Sequence, residues 1–165
     1  MIPVQLTLEG IYSYQERQKI DFENLTEAGL FGIFGSVGSG KSSILEAISF
    51  ALYGETERLN ARDRRTYNMM NLKSNRSYIE FDFINSENKK YRATREFKRN
   101  SKNFEDVKTP SVTFYEWKNE NWIPLYHSNA EQIVGLSYAN FKRTIIIPQG
   151  QFKEFLELGA AERTN

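Results

Sequence analysis

The sequence has no cysteine and a single histidine, His127. Without cysteine there is no disulfide and no thiolate metal site, and a reducing, cytoplasmic setting is the default expectation. No apolar run approaches the ~18 residues that a membrane-spanning helix needs. The opening MIPVQLTLEG has neither the basic nor the apolar region of a secretory signal, so none is expected. There is no internal repeat, no low-complexity linker and no heptad pattern long enough for a coiled coil. What is present is 165 residues, 39% hydrophobic and 14% aromatic, enough for one globular domain with its own core. The net charge of +1 points to no class of partner by itself.

Hydrophobic periodicity divides the chain. Val4, Leu6 and Leu8 alternate with polar residues and predict a half-buried strand, with QKIDF at 18–22 as its partner after the polar turn YSYQER. Leu30 to Phe34 is apolar throughout, as in a strand buried on both faces. From Lys41 the period becomes helical, with Ile44, Leu45, Ala47, Ile48, Ala51 and Leu52 on a wide apolar face. Alternation returns at Ile79, Phe81 and Phe83, then at Tyr91, Ala93 and Phe97. SVTFYEW (111–117) and WIPLY (122–126) flank the turn KNEN, so the middle of the chain predicts an antiparallel meander. SNAE at 128–131 has the spacing of a capping box before a short helix. TIIIP at 144–148 predicts a buried strand stopped by proline, and Phe152, Phe155 and Leu156 open a last helix.

Between the strand at 30–34 and the helix from Lys41 stands Gly35-Ser36-Val37-Gly38-Ser39-Gly40-Lys41-Ser42, which fits G-x-x-x-x-G-K-[ST]. A loop that wraps a phosphate turns several backbone N–H groups inward, and glycine is needed where a side chain would clash or φ would be forbidden. The following helix adds unpaired N–H groups and a partial positive charge. In such a loop Lys41 reaches the β- and γ-phosphates and the Ser42 hydroxyl ligates Mg²⁺. The strand-before, helix-after context makes the motif specific, and Gly38 narrows it to the G-x-x-G-x-G-K-S variant common in ABC-type ATPases.

GLFGIFGSVGSGKSSILEAISFALYGETER resembles the N-terminal nucleotide-binding segment of the SbcC family, SMC-like ATPase subunits of bacterial DNA double-strand-break nucleases. FKRTIIIPQGQFKEFLELGAAER resembles the Q-loop of that family and the helix leading into its coiled coil, and LTLEGIYSYQERQKIDF its first hairpin. The first two matches cover about a third of the chain. The departures are small: Ser43 stands where threonine is usual, and Ser36-Val37 replaces a proline-containing pair. The resemblance implies an α/β P-loop NTPase core, ABC-ATPase-head-like, with an antiparallel β meander, the N-terminal part of a split head. Within residues 1–165 it places the P-loop at 35–42 with Ser43 beside it. The meander falls at about 77–126, the Q-loop around 149, and the start of the coiled-coil helix at about 152–165. It implies ATP and Mg²⁺ as ligands and Gln149 as the Q-loop glutamine, a metal ligand or water-orienting amide, with Gln151 its bland neighbour. It implies a SbcD-like nuclease subunit, a second ATPase head and double-stranded DNA as partners, and no membrane. Tyr12, Ser13 and Tyr14 occupy the turn that in the family contacts base or ribose; a surface turn with two half-buried tyrosines explains them equally well.

Other features carry less. His127 precedes a helix cap and is expected to be structural. LSYA at 136–139 lacks the glycines of the LSGGQ signature and predicts a turn into a short helix. No apolar strand ends in an acid pair, so the catalytic carboxylate of the family is absent; Glu80 and Asp82 share one strand face instead. Two stretches are basic. Arg58, Arg62, Arg64, Arg65, Lys73 and Arg76 face only Asp63, an excess of +5. Lys89, Lys90, Arg92, Arg95, Lys98, Arg99, Lys102 and Lys108 face Glu96, Glu105 and Asp106, again +5. Both are candidate DNA-backbone contacts, Arg92, Lys98 and Lys102 above all, or solvated faces. The expectation is an ATP-binding half-head that is inactive alone. A self-contained P-loop kinase or small NTPase, or a non-catalytic nucleotide- or DNA-binding module, is the alternative.

Overall fold

A computed structural model describes residues 1–12, 14–22, 41–54, 70–71, 73–100, 102–103, 107 and 111–145; of residues 41–43, 45 and 142–145 it describes the backbone alone. Six strands form one antiparallel sheet in the order β2-β1-β3-β4-β5-β6. They are β1 (Ile2–Glu9), β2 (Gln18–Asp21), β3 (Arg76–Ile84), β4 (Lys90–Lys98), β5 (Ser111–Lys118) and β6 (Asn121–Pro124). The registers align apolar side chains in rows across one face. Leu6 pairs with Phe81, Phe81 with Ala93 and Ala93 with Phe114, and all four are buried. A register shift between Pro3 and Gln5 makes room for the proline, which has no N–H to give the ladder.

Helix α1 (Lys41–Tyr53) lies against β3 and β4 on that apolar face. From Glu46 to Leu52 every residue is buried, so it is a central helix and not a surface one. Phe50 meets Phe97 edge-on at 5.7 Å between ring centroids. Two short helices, α2 (Ala130–Val134) and α3 (Tyr138–Ile145), close the far end of α1. There the Tyr53 ring packs on Tyr138 and Phe141, and its hydroxyl donates to the Leu136 carbonyl at 2.7 Å.

Two local readings need correction. The α2 cap is Asn129, not Ser128: its side-chain oxygen accepts from the Gln132 N–H at 3.1 Å, and His127 Nδ1 accepts from the Asn129 N–H. His127 is thus a cap-supporting residue. Thr144 and Ile145, expected to open a strand, instead end α3. A short apolar run does not by itself distinguish the two states. What decides is upstream, where Ser137 Oγ caps the helix at the Asn140 N–H and the Ser137 carbonyl accepts from the Phe141 N–H. Residues 146–148 lie outside the described residues, as do the apolar segment 30–34 and the last helix from Phe152.

The β5–β6 loop puts Asn119 and Glu120 at φ 54° and 62°, the left-handed pair that a two-residue hairpin turn requires. Asparagine tolerates this; glutamate does not, at about 1 kcal/mol. Glu120→Gly should therefore raise stability by about 0.5–1 kcal/mol, less the backbone entropy that glycine adds to the unfolded chain. Urea midpoints of the two proteins check it; a lower midpoint for the glycine variant would refute the strain.

Candidate nucleotide site

Helix α1 begins at Lys41, the residue after the glycine run, with Ser42 and Ser43 following in its first turn. No acid stands in that turn, so nothing within it offsets the positive end of the helix. Gly35, Ser36, Val37, Gly38, Ser39 and Gly40 lie outside the described residues, as do Gln149 and Gln151. The strand expected to lead to Gln149 is helical at Thr144 and Ile145, so that part of the placement argument falls away.

Side chains outside the motif fix both ends of α1. Near its start, Tyr12 Oη donates to Glu46 Oε2 at 2.6 Å, one turn beyond Ser42. Tyr12 sits at φ 48° in the turn after β1, and that turn is tied down in three ways. Asn71 Nδ2 donates to the Tyr12 carbonyl, the Asn71 N–H to the Gly10 carbonyl, and Ser77 Oγ to the same Gly10 carbonyl at 2.6 Å. Gly10, at φ 67°, lies so close to the Arg76 carbonyl that a Cβ would collide with it. Of the turn that offered either a base or ribose contact or a plain surface turn, the Tyr12 hydroxyl donates to Glu46, Tyr14 pairs with Ile11, and Ser13 lies outside the described residues.

At the other end Arg95 projects from β4 into the core. Its Nε donates to the Ala51 carbonyl at 2.9 Å and its Nη2 to the Leu52 carbonyl at 3.2 Å. The guanidinium lies 5.5 Å from the Phe50 ring centroid. Gly54, at φ 70°, ends the helix by donating its N–H to the Phe50 carbonyl, and a Cβ there would come within 3.2 Å of Arg95 Nη1. Burial disfavours the charged form and lowers the Arg95 pKa to about 10, so the group is still cationic at neutral pH. Its counter-charge is the negative end of the helix. The sequence offers Arg95 only as one of the candidate DNA-backbone cations, whereas its guanidinium is spent on α1, and it gives Glu46 no role. The signals were a cation in an inward register between Ala93 and Phe97, and a lone acid in an apolar helix.

The opposite face of the sheet carries the charged residues. Arg92 makes a bidentate pair with Asp82, at 2.7 and 2.9 Å, and lies 3.6 Å from Glu80. Despite the cost of burial, the bond to Asp82 and the acids around it raise the Arg92 pKa. Arg76 bridges Glu9 and Glu96, and its hydrogen bond lowers the Glu96 pKa. Of the second basic stretch, Arg92 is neutralised locally, Arg95 is half-buried with its guanidinium on the α1 carbonyls, and Arg99 is buried. Lys89, Lys98 and Lys102 stay at the surface, Lys89 beside Glu87 and Lys98 beside Glu96. Lys108 and most of the first stretch, 58–69, lie outside the described residues.

Sheet, central helix and motif define an α/β P-loop NTPase, and comparison with known proteins agrees. A family profile described as "AAA domain" matches residues 5–164, and the chain belongs to that family. It is 39% identical over 170 residues to the C subunit of the nuclease SbcCD from Bacillus subtilis (strain 168), covering 99% of this chain and 15% of that protein. It is 38% identical to the protein of the same name from Clostridium acetobutylicum, covering 100% and 14%. It is 31% identical to "Probable DNA double-strand break repair Rad50 ATPase" of Aquifex aeolicus (strain VF5), covering 95% and 15%. The chain thus spans only about 15% of the length of such relatives. Among solved structures, the "SMC head domain from Thermotoga maritima" overlaps 81% of this chain and 41% of its own, at 21% identity and a TM-score of 0.39. Among the described residues no helix is long and apolar enough to cross a membrane.

Removing the Arg95 guanidinium takes a donor from two carbonyls in the last turn of α1 and leaves a gap beside Phe50. Arg95→Met should cost about 3 kcal/mol, and Arg95→Lys should recover only part of it because an ammonium is not a two-pronged donor. Thermal denaturation checks this; a loss below about 1 kcal/mol for the methionine variant would refute the clasp.

Proposed function

We propose that the chain is the ATP-binding N-terminal part of an SbcC-like ABC-type ATPase head. The observation that carries this is the start of α1 at Lys41, directly after the glycine run, in a helix pinned at both ends. Gly35, Ser36, Val37, Gly38, Ser39 and Gly40 would cradle the phosphates, with Ser42 and Ser43 at the helix start. Lys41 would meet the β- and γ-phosphates, and Ser42 and Gln149 would hold Mg²⁺, Gln149 also orienting the attacking water. Bound Mg²⁺ would supply charge neutralisation across the β- and γ-oxygens. The names of the relatives support a setting in DNA double-strand-break repair with a SbcD-like nuclease subunit. A second head, clamped by ATP, and double-stranded DNA complete the proposed partners. The cytoplasm is the compartment in which such a protein would work.

The test is the thermal stability of the chain with and without Mg-ATP. Binding to the folded state alone adds about 2.7 kcal/mol at hundredfold excess over Kd. Wild type should be stabilised and Lys41→Ala unmoved; equal shifts would overturn the phosphate role of Lys41. In the same preparations phosphate release should not exceed that of Lys41→Ala. The sequence holds neither an apolar strand ending in an acid pair nor LSGGQ, and losing one such group commonly costs about a hundredfold in rate. Clear turnover would favour the self-contained NTPase reading.

DNA would lie on the charged face of the sheet. Arg92 is held by Asp82 and Lys90 stands over the Trp117 and Trp122 rings, so the cations left to a duplex are Lys102 and, each beside one acid, Lys89 and Lys98. Changing these three to glutamine should lower the slope of log K against log salt for duplex DNA by about 0.9 per lost contact. An unchanged slope would make the hairpin a solvated face.

A further inference from the structure

Only two tryptophans occur in the chain, and they touch each other. Trp117 near the end of β5 and Trp122 in β6 are register partners, with ring centroids 5.0 Å apart in an edge-on arrangement. Two cations from β4 approach them. The Arg92 guanidinium lies 4.2 Å from the Trp122 ring centroid, and Lys90 Nζ lies 5.8 Å from both ring centroids. Trp117 is nonetheless 41% exposed. Tyr115, two residues before Trp117, is the register partner of Arg92, so a third aromatic belongs to the same corner.

Hairpin packing explains part of this. An edge-on aromatic pair across a strained turn stabilises the turn, and β6 is a short edge strand already blunted by Pro124. It does not explain Lys90. That ammonium makes no ion pair among the described residues, although Asp82 and Glu80 stand on the same face and are engaged by Arg92. Of the two acids of the β5–β6 hairpin, Glu116 falls in the opposite register, beside Tyr91, and Glu120 sits in the loop. Aromatic planes interleaved with an uncompensated cation are the elements with which proteins hold unpaired nucleic acid: bases stack on rings while cations meet phosphates. Duplex DNA, its bases already stacked, offers nothing to Trp117.

We propose that the Trp117–Trp122–Lys90 corner binds single-stranded DNA, a base stacking on Trp117 and a phosphate paired with Lys90. This rests on the reading of the charged sheet face as a DNA surface, and it adds a place for the unpaired strand of an opened or frayed end.

Because both tryptophans belong to the corner, tryptophan emission, excited selectively over that of the nine tyrosines, reports on it alone. A thymidine oligonucleotide of about 12 nucleotides should quench that emission, whereas a duplex capped at both ends by base-free covalent linkers should leave it unchanged. Trp117→Leu should weaken single-strand binding about tenfold, measured by anisotropy of a labelled oligonucleotide. Lys90→Gln, which keeps both rings, should lower the single-strand salt slope by about 0.7. Neither change should alter duplex binding. Capped-duplex binding with unquenched tryptophans in the presence of the oligonucleotide would overturn this inference and leave the duplex surface standing. Equal quenching by both DNAs would overturn the single-strand preference. No binding of either DNA would remove the DNA surface and this corner together.

Discussion

The arrangement depends on Arg95. A guanidinium taken out of water must find partners, and this one finds the end of a helix: two carbonyls and the partial negative charge they concentrate. Both sides gain. The last turn of α1 has orphan acceptors that the Gly54 cap does not fill, and β4 has a cation that its apolar neighbours cannot satisfy. The bond therefore joins the sheet to the helix at one defined point. Arginine suits the place because its planar fork reaches adjacent carbonyls while its face rests on Phe50. Any side chain at position 54 would press on that fork, which gives Gly54 a second reason to be glycine beyond its positive φ.

Fixing one end of a helix fixes the other. The thirteen residues of α1 span about 20 Å, so a tilt at the Arg95 end would swing the Lys41 end through a comparable angle. Tyr12 and Glu46 oppose that swing near the N-terminal turn, and the Tyr12 turn is in turn held by Asn71 and Ser77. An anion site at a helix start gains from such rigidity, because little of the binding energy is then spent on ordering the helix.

Much of this was legible in the sequence. The period-two runs around Leu6, Phe81, Ala93 and Phe114 gave strands whose registers now line those residues up across one face. The change of period near Lys41 located α1. Illegible features were those in which a side chain answers to a distant partner. Arg95 counts as one more basic residue until its register is known, and Tyr12 looks like a turn residue until Glu46 is brought across from 34 positions away. Ile145 is ambiguous for a different reason. Three isoleucines suit a strand as well as a helix, and Ser137 and Phe141, which decide the matter, precede the run.

The pleat of β4 connects the two halves of the molecule. Alternate residues of that strand serve different tasks: Tyr91, Ala93, Arg95 and Phe97 face the helix, while Lys90, Arg92, Thr94, Glu96 and Lys98 take the opposite register. A load on the outer residues is carried by the same backbone that holds Arg95 against α1. The outer face is not loose either. Arg92 is fixed by Asp82 on β3 and packed on Trp122 of β6, so β3, β4 and β6 are cross-braced by one side chain. A ligand that moved β4 relative to β3 would have to break the Asp82 bonds or drag the strand, and dragging the strand shifts the Arg95 fork relative to the Ala51 and Leu52 carbonyls. The outer face of the sheet and the last turn of α1 are therefore joined through one strand, β4.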